Sequence, residues 1–218
     1  MTALLRYQAA LLLRSQRWLP PVLLYAVVVG IGVRAGDPVL DSLGFAAAAL
    51  LPVSAWLVRV CVNTEPSPAR AVAAAARGPW RVHLAAVLTG LCAAVVLGVV
   101  GTGVTTAIGD GPTGAGGFAR AAGSGMVAAV TCALVGTVVG ALCNRPLLRR
   151  PGWSVPATAL SALALLVAGG SPANAAVSDL VTASRQGTLP VPWLPLAGAA
   201  AAAAVAVSAA CAAAARRG

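Results

Sequence analysis

The chain contains no lysine. That absence excludes the P-loop, whose lysine reaches the phosphates of a bound nucleotide. The chain is therefore not expected to hydrolyse ATP by itself, and no cofactor is expected. Histidine is nearly missing as well: His83 stands alone, so a His-rich metal site cannot be built. The five cysteines, Cys61, Cys92, Cys132, Cys143 and Cys211, lie in or at the ends of apolar runs, with no C-x-x-C among them. They read as small buried hydrophobes rather than disulfide partners or metal ligands. Charge is scarce, at 9% of residues against about 25% in soluble domains. The net charge of +10 could point to nucleic acid, but aromatic residues are few and the cations lie mostly in short connections and tails. No nucleic-acid partner is expected.

Catalytic constellations are missing too. Asp37 and Asp41 are four residues apart but straddle Pro38, with no third carboxylate nearby. They read as solvated loop charges. Ser124 stands between Gly123 and Gly125, as in an intramembrane serine protease, but such a nucleophile needs a histidine within hydrogen-bond reach. His83 falls at the opposite end of a span, roughly 30 Å away across the bilayer. No charged residue lies near the middle of an apolar run, Arg59 coming nearest at the inner end of the second, which argues against a self-sufficient pump or ion-coupled transporter.

What is present is apolar length. Hydrophobic residues make up 59% of the chain and the mean hydropathy is +0.89. A membrane helix needs about 20 mostly apolar residues. Six segments qualify or nearly so: 18–33, 43–62, 83–108, 121–143, 153–170 and 193–215. The first and fifth are short, and the last is almost pure alanine. All fifteen cations are arginine, and twelve fall on one side of this scheme: Arg6, Arg14, Arg17, Arg59, Arg70, Arg77, Arg81, Arg145, Arg149, Arg150, Arg216 and Arg217. The other side holds Arg34, Arg120 and Arg185 with Asp37, Asp41, Asp110 and Asp179. The positive-inside rule then places both termini in the cytoplasm. The expectation is an all-α integral membrane protein with six transmembrane helices. It comprises a cytoplasmic segment 1–17, a transmembrane domain 18–215 and a tail 216–218. Abundant alanine, glycine and arginine point to a GC-rich bacterial genome, hence a bacterial plasma membrane. A cleaved signal peptide ending near Val33-Arg34-Ala35 is the weaker reading of the first span, because the charged stretch before it is long.

Residues 2–17 place Arg6, Arg14 and Arg17 within about 80° of one another, with Leu4 and Leu11 opposite. This pattern predicts an amphipathic helix on the cytoplasmic surface, although Gln8 and Leu13 sit on the wrong faces; an ordinary basic flank fits equally well. Small residues recur every fourth position at Ala86, Gly90, Ala94, Gly98 and Thr102, and again at Ser124, Ala128, Cys132, Gly136 and Gly140. Such stripes let helices approach closely. Gly90, Gly98, Gly136 and Gly140 are read as packing positions within one subunit rather than in a dimer interface.

The connection after the second span contains a well-delimited short helix. Ser67 is a good N-cap and Pro68 suits the first helical position. Gly78 can supply a left-handed cap and Pro79 forbids continuation. The rod 68–77 would be about 15 Å long, with Arg70 and Arg77 within about 20° of each other. It reads as a rigid cationic element, though a plain basic helix on the headgroups fits the same residues.

With its basic N-terminal segment, six spans and helix between spans two and three, the chain resembles the type-2 ABC transporter permeases, the membrane subunits of bacterial ABC exporters. The run Asn63-Thr64-Glu65-Pro66-Ser67-Pro68-Ala69-Arg70 through Arg81-Val82-His83-Leu84 is similar to that family's Glu-then-Pro-then-Arg region. The resemblance implies that the rod is a coupling helix docking on a separately encoded ATPase through Ser67, Arg70, Arg77 and Arg81. It also implies a second permease copy, identical or not, and outer helical elements at 174–184 and 189–195. The substrate implied is hydrophobic or amphiphilic. The competing expectation is a non-transporting polytopic protein, such as an immunity, assembly or scaffold factor.

Overall fold

The computed structural model describes residues 1–110, 116–144, 151–188 and 191–217. Arg145, Arg149, Arg150, Leu189 and Pro190 lie outside the described residues, and with them part of the expected inner charge and of the outer element 189–195. The described chain is all helical: α1 (Thr2–Ser15), α2 (Leu19–Gly32), α3 (Val39–Thr64), α4 (Ser67–Arg77), α5 (Pro79–Ile108), α6 (Gly117–Leu142), α7 (Pro151–Val167), α8 (Pro172–Gln186) and α9 (Trp193–Arg217). Four of these, α3, α5, α6 and α9, are long and apolar enough to cross a membrane. A fifth candidate arises if α7 and α8, bent by 45° at a short break, count as one span. Helix α2 is apolar but only 14 residues long, about 21 Å against an apolar layer of about 30 Å. The chain is thus a multi-pass membrane protein by the length and composition of its helices.

Helix α3 is the hub. Its Leu43, Leu50, Leu51, Leu57 and Val58 are almost completely buried, and α6, α5, α8 and α2 all pack on it. Glycines set the register. On α5, a β-carbon at Gly90 would come within 2.8 Å of Val58, and one at Gly98 within 3.0 Å of Leu50. Numbers fall on α3 as they rise on α5, so the two run antiparallel. On α6, Gly125 meets Leu43, Gly136 meets Ser54 and Leu51, and Gly140 meets Val58 and Ala55; these two run parallel. Close approach at small residues is the means by which helices associate where lipid is as apolar as leucine.

Several threonine hydroxyls in these helices are satisfied locally, whereas the buried Ser124 hydroxyl has no partner among the described residues. Thr89, Thr131 and Thr137 donate to the carbonyl four residues back at 2.8 Å each. No water is available in hydrocarbon to do so. The α6–α7 junction is held by Asn144, which donates to the Gly140 carbonyl at 2.8 Å and accepts from Ser154 at 2.7 Å.

The two ends of the bundle differ. At one end the α2–α3 and α5–α6 connections are stitched together: Val39 N–H donates to Asp110 O at 3.1 Å, and Asp110 N–H to Asp37 O at 3.0 Å. Asp41 lies in the first turn of α3 at this end. Arg59 is eighteen residues further along α3, about 27 Å away. Helix α8 buries Ala173, Ala176, Leu180 and Ala183 and lies on Gly44 near the start of α3. Ser171 caps it by accepting from Ala173 N–H.

Candidate functional site

The cation-rich end is built around the exit of α3. A helix end leaves carbonyls without intrahelical partners. Here the Arg70 side chain reaches back from α4 and donates to Val62 O at 2.7 Å and Glu65 O at 3.2 Å. Arg70 therefore fixes the angle between α3 and α4. Glu65, the only glutamate in the chain, is buried. Its carboxylate accepts from Gln8 Nε2 at 3.1 Å. Partial burial raises the Tyr7 hydroxyl above its ordinary pKa, with a smaller contribution from the nearby Glu65 charge. Glu65 Oε1 and His83 Nε2 are buried without hydrogen-bond partners among the described residues.

Helix α1 closes over this joint. It buries Gln8 and Leu12 and packs on α5 and α3. Its face differs from the expected one: Leu4 and Leu11 are only half-buried, while Gln8, which breaks the apolar pattern, is covered because it meets Glu65. The helix ends at Ser15, with Gln16 left-handed at φ 53°, so Arg17 lies beyond it.

Helix α4 lies with one side against α5 and buries no residue fully. Ala73, Ala74 and Arg70 are half-covered, toward α5. Ala71, Val72, Ala75, Ala76 and Arg77 face outward, and Val72 is 71% exposed. Arg77 sits in the last turn, where a cation complements the helix dipole. Beyond it, Arg81 lies 5.1 Å over the Trp80 ring, a cation–π pair. Gly78 at φ 87° and ψ 140° ends the rod, its N–H bonded to Ala74 O at 2.8 Å; side chains are strained in that conformation.

Two sequence readings need adjustment. Ser67 is the first helical residue and makes no side-chain cap, the capping position being Pro66. Arg70 does not share a free face with Arg77, because its guanidinium is engaged at the α3 exit. Ser67, Arg77 and Arg81 remain exposed. Gly90, Gly98, Gly136 and Gly140 all face α3. The sequence marks Gln8 only as a break in the amphipathic pattern and Glu65 only as part of the run 63–70, and it gives no role to Tyr7. The available signal was a lone glutamate in a chain otherwise nearly free of acid.

Among the described residues no group of three or more His, Cys, Asp and Glu side chains is placed to hold a metal ion. Comparison with protein-family models, curated proteins and solved structures finds no match.

Proposed function

We propose that this chain is the permease subunit of an ATP-driven ABC exporter of a bacterial plasma membrane, powered by a separate ATPase and paired with a second permease copy. The observation that carries the reading is α4: a short rod, outward on one face and stapled to α3 by Arg70. A push on such a rod is delivered to α3, and α3 touches most of the bundle. A floppy loop would dissipate it. In this reading six helices, α2, α3, α5, α6, α7 and α9, span the membrane with both termini inside. The arginine distribution supports that orientation. With no charge at mid-depth, the path suits a hydrophobic or amphiphilic substrate better than an ion.

The reading requires α4 to be cytoplasmic. A cysteine at position 77 should react with an impermeant maleimide in inverted vesicles and not in intact cells, and one at position 110 should behave oppositely. A residue 77 that reacts from outside would place the rod beyond the reach of any ATPase and end the proposal.

A further inference from the structure

At the opposite, Asp110-containing end, an open cleft of about 800 Å³ lies between the start of α6, the end of α8 and the start of α9. It is lined by Arg120, Gly123, Met126, Val127 and Trp193, among others. Arg120, Gly123 and Val127 are spaced i, i+3, i+7, so they share one face of α6. Arg120 is in the first turn and Val127 lies about 10 Å further along the helix axis. Gly123, between them, leaves a trough: a β-carbon added there would meet nothing within 4 Å. The cleft therefore has a cation at its rim and apolar walls deeper down. That order matches a phospholipid, with phosphate above and acyl carbons below. Trp193 at the rim is the residue type that settles at headgroup depth. Arg120 is also one of only three arginines on the arginine-poor side of the sequence scheme, where orientation gives no reason for a cation.

We propose that this cleft holds an anionic phospholipid, its phosphate on Arg120 and one acyl chain along Gly123, Met126 and Val127. The site does not depend on the transport reading. Arg120 is exposed and Gly123 borders open space, so Arg120→Gln and Gly123→Leu should leave the fold intact; Arg34→Gln is the control at the same end.

The test reconstitutes the full chain in phosphatidylcholine nanodiscs with a small fraction of phosphatidylglycerol bearing a mid-chain diazirine. After irradiation, adducts are mapped by peptide sequencing. Labelling should concentrate on the first half of α6 and the start of α9. Arg120→Gln should lower it about tenfold, the effect of losing one charge-assisted hydrogen bond. Gly123→Leu should lower it comparably, Arg34→Gln should not change it, and excess unlabelled phosphatidylglycerol should compete where inorganic phosphate does not. Labelling spread evenly over the spans, or unchanged in both variants, overturns the site. A drop with Gly123→Leu but not with Arg120→Gln overturns the phosphate assignment.

Discussion

Replacing Gly136 by valine should prevent correct assembly of the bundle. A β-carbon at that position would overlap Ser54 Oγ and the Leu51 carbonyl oxygen. Ser54 already donates to Leu51 O at 2.8 Å, so the obstacle includes backbone of the central helix and cannot swing aside. Overpacking in a well-filled core costs about 1–3 kcal/mol and sometimes more, and a clash with backbone belongs at the upper end. Gly103→Ala is the matched control, since a β-carbon there meets nothing within 4 Å. Thermal aggregation followed by size-exclusion chromatography in mild detergent should show a large loss of the monodisperse peak for Gly136→Val and none for Gly103→Ala. Equal behaviour of the two variants would mean that α6 does not seat on α3 through this glycine.

Reversing charge at Arg77 should abolish most of the association with a partner ATPase while leaving the membrane protein folded. Arg77 is exposed at the end of α4. A charge-assisted hydrogen bond from arginine to a carboxylate contributes about 1.5–3 kcal/mol, so Arg77→Glu, which replaces attraction by repulsion, should weaken association at least tenfold. Arg70→Glu should fail differently: it removes the staple between α3 and α4 and should lower thermal stability along with association. The comparison is recovery of the ATPase on the tagged chain at equal membrane levels. Full recovery with Arg77→Glu would take the docking role away from α4, and the non-transporting reading would then move ahead.

Much of this architecture is legible in the sequence because membrane helices announce themselves by apolar length, and punctuation by proline and glycine delimits α4. All six apolar segments are helices within a few residues of the expected bounds. Which helix a small-residue stripe faces is not legible. Gly90 and Gly136 display a narrow face, but only the three-dimensional arrangement shows that both meet α3. Helical angles also misled at Arg70. They place its Cα beside that of Arg77, yet the long side chain bends back to the free carbonyls at Val62 and Glu65, a partner set by the turn and not by the periodicity. Gln8 is the converse case. It violates the amphipathic pattern of α1 because the surface beneath it carries Glu65 rather than lipid or hydrocarbon. Span count is the least legible feature, since α2 is short and α7 breaks into α8 at Ser171.

The central claim is that a nucleotide-hydrolysing partner drives this lysine-free chain. The direct measurement is ATP hydrolysis by the tagged chain purified in mild detergent from the membranes of its own cell, before and after the partner is stripped, with bound proteins identified by peptide sequencing. The account predicts a co-purifying P-loop ATPase, hydrolysis by the complex and none by the stripped chain. Hydrolysis that persists in the stripped chain, or the absence of any P-loop protein from the intact preparation, would contradict it.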